Sequence, residues 1–257
     1  MNQSRRDNPM IAIKEIEKVG AYTQLMVRVF TRPDKWSMFF RQYREELKKQ
    51  GIDSLAIVVI ISIFIGAVIT IQMIKNMENP LLPNTLIGLA TRDILLLEFS
   101  SAILCLILAG KVGSNIASEI GTMRITEQID ALDIMGVNSS NFLILPKITA
   151  FVTIMPFLVL TSMFVGIIGG YGVAIFTDMI TVKAYESGIQ YAFTPYYITY
   201  SIIKSVIFAF IITSVSSFYG YTVRGGALEV GKASTDAVVN SSVLILLFDI
   251  MLTKLLL

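Results

Sequence analysis

The sequence contains no histidine and only one cysteine, Cys105. Histidine is the commonest general base and metal ligand in proteins, so its absence removes the usual Ser–His and Cys–His nucleophile pairs. One cysteine can form no internal disulfide, so cysteine usage does not indicate the redox compartment. We therefore expect no metal site, no cofactor and no catalytic centre of these classes.

Charged residues are also scarce. They make up 16% of the 257 residues, while hydrophobic residues reach 54%. Soluble domains contain about 25% charged residues. The mean hydropathy is +0.69, and the net charge of +2 is too small to indicate a nucleic-acid partner. This composition is typical of a membrane protein.

The apolar residues are gathered into five runs, each long enough to cross a bilayer as a helix. A spanning helix needs about 20 predominantly apolar residues. The five runs are 55–74, 86–109, 148–176, 196–219 and 238–257. Helices this apolar cannot all be buried in a soluble core of this size. We predict an all-α, polytopic membrane protein with about five transmembrane helices.

Basic residues are concentrated on one side of these predicted spans. The first 50 residues hold 11 of the 21 Lys and Arg residues and no apolar signal-peptide core, so we expect no signal peptide and a cytoplasmic N-terminus. With five spans, segments 1–50, 110–147 and 220–237 then share the cytoplasmic side and hold 16 of the 21. This bias agrees with the positive-inside rule.

The N-terminal segment has the pattern of a helix at a membrane surface. Apolar residues recur at helical spacing between Ile16 and Phe30, and aromatic and basic residues follow from Trp36 onward. Aromatic and basic residues together favour the headgroup region of a bilayer. We predict a cytoplasmic interfacial amphipathic helix in 1–50, followed by a transmembrane domain over 51–257. An ordinary soluble helical extension is the alternative.

The cytoplasmic loop between the second and third predicted spans carries an amphipathic pattern of its own. Apolar residues such as Ile120 and Ile129 alternate with four acidic residues, against one arginine. Anionic lipid repels an acidic helix, so we predict that a helix at about 117–136 docks on a protein partner. A solvated connector is the alternative.

Two charges lie deep within the predicted spans, Glu98 in the second and Lys204 in the fourth. A charged side chain within a span costs about 2.5–3.5 kcal/mol on insertion scales and usually faces an interior or a wet cavity. The two residues either line a cavity for a polar ligand group or form an ion pair that fixes helix register. Asp249 lies near the end of the last span, and we expect it to reach the membrane interface.

The stretch GALEVGK at 226–232 approaches a phosphate-binding loop. The following residue is Ala233 where the motif needs Ser or Thr to bind magnesium, and a predicted span precedes the stretch where the motif needs a strand. We therefore expect that this chain binds no nucleotide and that any ATP is hydrolysed by a partner.

The cytoplasmic loop resembles the signature of the MlaE family of ABC-transporter permeases. The stretch EIGTMRITEQIDALDIMGV at 119–137 carries the likeness, and residues 110–114 and 203–209 are also similar to that family. The resemblance covers nearly the whole chain. It implies the permease subunit of an Mla-type system, which moves phospholipid between the inner and outer membranes of Gram-negative bacteria and maintains outer-membrane lipid asymmetry.

The resemblance also implies partners and a location. The partners are a second copy of the chain, a separate ABC ATPase subunit and a ring of MCE-domain proteins on the outer face, and the resemblance leaves room for a small regulatory subunit. The location is the bacterial inner membrane.

Site residues follow from the resemblance position by position. The helix at 119–133 resembles the coupling helix that sits in a cleft of the ATPase, with contact candidates Glu119, Met123, Arg124, Glu127, Gln128 and Asp130. Glu98 matches the acidic position of that family in the second span, Lys204 matches its lysine in the fourth, and both are candidates to line a lipid cavity. The family often has Arg-Glu-Leu-Gly-Pro where this chain has LEFSS at 97–101. The missing arginine and Gly-Pro leave open the local helix shape and any arginine-dependent lipid contact.

Two rival functions differ from a driven permease. A secondary transporter or channel working alone is expected to show several intramembrane charges and broken helices in matching halves. Only Glu98 and Lys204 lie deep in this sequence, and no halves match. A membrane anchor that transports nothing would tolerate the loss of both charges.

Overall fold

The computed structural model describes residues 4–31, 36–77 and 83–257, and every secondary-structure element in this part of the chain is a helix. Five helices are long and apolar enough to cross a membrane, which confirms the predicted fold class. We number them span 1 to span 5, with the bounds Trp36–Asn76, Thr85–Ile125, Ser139–Phe176, Tyr196–Tyr221 and Ala227–Leu256. The chain is a multi-pass membrane protein.

Spans 1 and 2 are much longer than the apolar runs within them. Each has 41 residues, about 60 Å of helix, which is roughly twice the thickness of a bilayer's hydrocarbon core. Span 1 therefore continues without a break across residue 50, where we placed a boundary, and a π-helical stretch, Leu47–Ile52, lies at that point. Segments 1–3 and 32–35 of the N-terminal region, and 78–82 between spans 1 and 2, lie outside the described residues.

A separate N-terminal helix, Ser4–Val29, packs beside spans 3 and 4. Val29 is fully buried. Tyr22 donates a hydrogen bond to Ser214 Oγ at 2.9 Å, and Asn141 donates one to the Val29 carbonyl at 2.7 Å. Val19 on this helix is exposed. The helix therefore packs one face on the bundle and has exposed apolar residues outside that face. Its location at a membrane surface stays a prediction.

Small residues allow spans 1 and 3 to approach closely. A Cβ atom at Gly66 would collide with the backbone of Gly166, and one at Gly169 would collide with the backbone of Ile63. Beside these glycines, Ser62 donates a hydrogen bond to Ser162 at 2.8 Å within the bundle. Small-residue contacts and interhelical hydrogen bonds are the usual means of packing helices in lipid, where apolar burial supplies little driving force.

A short outer helix, Val182–Gln190, covers the beginning of span 2. The buried Arg92 side chain donates hydrogen bonds to the carbonyls of Ile189 at 2.7 Å and Tyr191 at 2.8 Å. The side chain of Tyr185, which belongs to this helix, is fully buried, and desolvation raises its pKa to about 12. These contacts fix one end of the bundle, which we call the outer end. The opposite end, which holds residues 126–138, is the inner end.

Candidate functional site

Three spans contribute to one charged cluster in the outer half of the bundle. Lys204 Nζ on span 4 lies 3.2 Å from a Glu98 carboxylate oxygen on span 2 and 2.5 Å from Asp249 Oδ1 on span 5. The structure thus brings together the two deep charges that the sequence singled out. It adds a second carboxylate, so the cluster contains two acids and one base.

Neutral polar groups complete the surroundings of the Lys204 ammonium. Lys204 Nζ donates a hydrogen bond to the Tyr200 hydroxyl at 2.9 Å and lies 3.3 Å from Thr253 Oγ1. The hydroxyls of Tyr200 and Thr253 are 3.0 Å apart. The ammonium also lies 4.8 Å from the centre of the Tyr200 ring, within reach of a cation–π contact. Because an ammonium has three donors, these groups and the two carboxylates satisfy it completely.

The structure brings Asp249, which we expected at the membrane interface, into this cluster. Its side chain is 17% exposed and contacts Lys204. Lys204 lies about two turns after the beginning of span 4, and Asp249 lies about two turns before the end of span 5. Because the two helices are antiparallel neighbours, these positions have the same depth. Counting turns from both helix ends was the signal that could have identified the pair.

Span 2 is irregular where it carries Glu98. Residues Leu95–Ile103 form a π-helix although this stretch contains neither glycine nor proline. A π-helical stretch releases backbone carbonyls from the α-helical pattern, and such stretches are frequent at functional sites. The Leu96 carbonyl accepts a hydrogen bond from the buried Ser201 hydroxyl of span 4. The missing Gly-Pro therefore does not make this segment a regular α-helix.

At the inner end, the structure corrects the prediction of one helix over 117–136. Span 2 ends at Ile125, and a short inner helix, Gln128–Ile134, follows. Glu127 lies between them in the left-handed backbone region, with φ of 59°. The two helices are joined by an ion pair of 2.7 Å between Arg124 and Asp130. Ile129 is fully buried beneath this corner and anchors it to the bundle.

Glu119, one of the coupling candidates, forms ion pairs within the chain. Its carboxylate lies 2.5 Å from Lys49 Nζ and 2.9 Å from Lys147 Nζ. Lys147 is almost fully buried and also pairs with Glu46 in the part of span 1 next to the π-helical stretch. This inner ion network joins spans 1, 2 and 3, so Glu119 holds the helices together instead of offering a free acid.

The other coupling candidates divide into two groups. Met123 is half-buried and packs against the core, and Arg124 is half-buried with its guanidinium 5.8 Å from the Tyr221 ring centre. Glu127, Gln128 and Asp130 are exposed. Of the six candidates, these three are the exposed ones at the inner end, and Asp130 is paired with Arg124 there.

The sequence reasoning missed the most exposed apolar pair at the inner end. Ile134 is 87% exposed and Met135 is 68% exposed. Gly136, with φ of 76°, follows them and ends the short inner helix. An apolar pair directly before a helix-ending glycine was the available signal.

A groove runs beside this pair, between the short inner helix and the Trp36–Glu46 part of span 1. Its volume is about 290 Å³, and its lining is mainly apolar: Met38, Phe39, Gln42, Leu132, Met135, Val137, Asn138, Asn141, Phe142 and Pro146. Exposed acids on the same loop, Glu127 and Asp130, lie near it in sequence. The loop at the inner end therefore combines an apolar surface with exposed carboxylates.

Metal-binding clusters and phosphate-binding loops are the two common kinds of ligand site that we looked for in the part of the chain that the structure describes. Among the described residues, no group of three or more His, Cys, Asp or Glu side chains is placed to hold a metal ion. In the stretch 226–232, Gly231 and Lys232 lie inside span 5, which begins at Ala227. They are part of a helix and not of a loop that wraps a phosphate.

Comparison with known proteins agrees with these features. The family described as Permease MlaE matches residues 43–255. A probable ABC transporter permease protein of Rickettsia bellii (strain RML369-C) is 33% identical over 245 residues, which is 95% of this chain and 93% of that protein. Protein TRIGALACTOSYLDIACYLGLYCEROL 1, chloroplastic, of Arabidopsis thaliana is 32% identical over 234 residues, which is 90% of this chain and 65% of that protein. With its five spans and the loop signature at 119–137, the chain therefore belongs to the MlaE family of ABC-transporter permeases.

Proposed function

We propose that this chain is the permease subunit of an ABC transporter that moves phospholipid between the inner and outer membranes of a Gram-negative bacterium, and so maintains outer-membrane lipid asymmetry. A separate ATPase subunit supplies the energy, and this chain hydrolyses no ATP. The observation that carries the proposal is the cluster of Glu98, Lys204 and Asp249, which places charges inside three spans with one carboxylate open to the outside of the bundle.

A phospholipid suits this surface because its headgroup is charged and its tails are apolar. A charge in a span costs several kcal/mol unless it meets polar groups. Glu98 is 42% exposed, and Ile94 and Ile103 are exposed on either side of it along span 2. A headgroup placed at Glu98 would leave the tails against these apolar side chains.

A second copy of the chain would complete the passage. Glu98 lies at the side of the single chain, and the inner-end cavities of about 240–290 Å³ do not include it. Span 5, which supplies Asp249, is the least buried of the five spans. It exposes a row of apolar residues: Val239, Val243, Leu246, Leu247, Ile250 and Met251. A dimer packed on this face would enclose Glu98 and exclude lipid tails from its carboxylate.

The inner end supports docking of the ATPase. The exposed apolar pair Ile134 and Met135 stands beside the exposed acids Glu127 and Asp130. An apolar tip with acids around it fits a cleft that has an apolar floor and a basic rim. Span 2 continues from this surface to Glu98, so a movement of the short inner helix has a direct helical connection to the charged cluster.

The orientation and the outer partners follow the family and the charge bias. The N-terminus lies in the cytoplasm, the chain in the bacterial inner membrane, and a ring of MCE-domain proteins with any small regulatory subunit joins the complex from there. The bias of basic residues toward the inner segments supports this orientation. A lipid substrate is also supported by the Arabidopsis relative, whose name is that of a galactolipid.

Co-purification tests the proposal. The tagged chain is extracted with its surrounding lipid, and the bound proteins and lipids are identified by mass spectrometry. We expect an ATPase, an MCE-domain protein and phospholipid. The purified complex is then placed in donor vesicles and supplied with ATP, and we expect labelled phospholipid to reach acceptor vesicles.

Two other outcomes contradict the proposal in different ways. A chain that purifies without an ATPase and still transports would be a transporter working alone. A chain that binds an ATPase but gives no ATP-dependent lipid transfer would be an anchor for a partner complex.

A further inference from the structure

The three side chains of the charged cluster differ in exposure, and a ligand contacts the most exposed one first. The Lys204 side chain is fully buried, Asp249 is mostly buried, and the Glu98 side chain is the most open of the three. The formal charge of the cluster is negative, with two carboxylates for one ammonium. An approaching group therefore meets a carboxylate and not the ammonium.

The ammonium of Lys204 is also occupied. It lies against both carboxylates, the Tyr200 hydroxyl and Thr253. A phosphate group would have to displace one of these partners and would approach a net negative charge. Such a displacement leaves a carboxylate without its counter-charge inside a span, which is costly.

Arg92, the cation nearest to Glu98 along span 2, is not free to compensate. The neighbours of Glu98 in sequence are the apolar Leu97 and Phe99. Arg92, one and a half turns toward the outer end, is buried and pairs with Asp93 at 2.7 Å. Arg92 also donates to the two backbone carbonyls of the outer helix region. The half-exposed Glu98 therefore has Lys204 as its counter-charge and shares that single ammonium with Asp249, which leaves the cluster with one negative charge in excess.

We infer that Glu98 binds the cationic amine of a lipid headgroup, so that the permease prefers lipids with an ammonium group over purely anionic lipids. This inference rests on the proposed lipid transport and names its substrate class. The lipid amine balances the excess negative charge of the cluster, donates hydrogen bonds to the half-exposed Glu98 carboxylate and leaves the Lys204 contacts intact.

A competition experiment tests the preference. The complete complex, with its ATPase, is reconstituted in bilayers that contain equal amounts of phosphatidylethanolamine and phosphatidylglycerol, and the lipids retained by the complex are counted by native mass spectrometry. We expect phosphatidylethanolamine to be enriched about fivefold, the upper range for one half-exposed ion pair. Glu98→Gln should remove the enrichment, because it keeps the shape and the Lys204–Asp249 contact but removes the open charge.

Two further variants control for folding and for general charge effects. Glu98→Asp keeps the carboxylate and should keep a preference for phosphatidylethanolamine. Asp236→Asn removes an exposed acid from the inner half of span 5 and should leave the lipid ratio unchanged.

The outcomes separate this inference from the proposed function. Equal retention of both lipids, or more phosphatidylglycerol, in a complex that still transfers lipid with ATP would overturn the inference and leave the function standing. A Glu98→Gln complex with an unchanged enrichment would also overturn it. A complex that retains and transfers no lipid would refute the proposed function itself.

Discussion

Lys204 on span 4 and Asp249 on span 5 form the closest ion pair of the charged cluster, with 2.5 Å between Nζ and Oδ1. The pair holds two antiparallel helices at the same depth, and Glu98 joins it from the π-helical part of span 2 at 3.2 Å. One base thus holds two acids inside the spans, and the stability of the bundle and its handling of ligand depend on the same three side chains.

Removal of Lys204 alone should destabilise the chain strongly. Lys204→Met leaves two carboxylates without a counter-charge, and breaking such a pair typically costs about 3–5 kcal/mol. Thermal unfolding of the detergent-solubilised protein measures the loss. A neutral triple variant, Glu98→Gln with Lys204→Met and Asp249→Asn, should recover most of the stability. A triple variant as unstable as the single one would show that packing around Lys204 matters more than charge.

The inner ion network should be as sensitive as the outer cluster. Lys147→Met leaves Glu46 and Glu119 facing each other with only Lys49 nearby, so we expect lower thermal stability and a lower yield of folded protein. Adding Glu119→Gln to Lys147→Met should recover part of the loss, because it removes one of the two facing acids. If the double variant is less stable than Lys147→Met, the two acids do not repel each other.

The exposed apolar tip should matter for assembly and not for folding. Ile134→Asp changes a side chain that is 87% exposed in the single chain. We expect unchanged thermal stability of the chain but at least about tenfold weaker binding of the ATPase, since burying a new charge at an interface costs more than 1.4 kcal/mol. Quantitative co-purification checks this, and Ile134→Leu serves as the control that should bind normally. Full ATPase binding by Ile134→Asp would place the interface elsewhere.

The turn at Glu127 separates backbone from charge effects. Its positive φ suits glycine, so Glu127→Gly should keep the turn, whereas Glu127→Val should lower stability by about 1 kcal/mol because a β-branched residue is strained there.

Glu127→Lys should keep the fold and uncouple ATP hydrolysis from transport, because the acidic surface would no longer match a basic cleft. Transport-stimulated ATPase activity is the measurement, and normal coupling in Glu127→Lys would contradict the charge argument.

Much of the architecture could be predicted because lipid imposes strict rules on sequence. The five apolar runs predicted the five spans, and an ion pair between the two deep charges, Glu98 and Lys204, was one of the two alternatives that the sequence offered. The precise extent of the helices could not be predicted, since segments such as Trp36–Glu46 are polar enough to read as a separate surface helix. Asp249 was not predicted as a partner of Lys204, because its position near the end of the chain suggested the membrane interface. Whether Asp249 lies level with Lys204 depends on where span 4 begins and span 5 ends, and the sequence leaves both bounds open.

Local irregularities were hidden for a different reason. The π-helix around Glu98 and the left-handed Glu127 occur in stretches without glycine or proline. Tertiary contacts hold both: Ser201 satisfies the Leu96 carbonyl, and the Arg124–Asp130 pair closes the corner after span 2. Such contacts join residues that are far apart or on different elements, so the local pattern carries no sign of them.

The most direct test of the central claim is ATP-driven transfer of labelled phospholipid by the reconstituted complex, compared between the wild type and the neutral triple variant of Glu98, Lys204 and Asp249. We predict that the triple variant folds, binds the ATPase and hydrolyses ATP, but transfers phospholipid at least about tenfold more slowly, which corresponds to a loss of about 1.4 kcal/mol at the lipid contact. Lipid transfer at the wild-type rate by the triple variant would mean that the cluster only holds the helices together and would contradict the account.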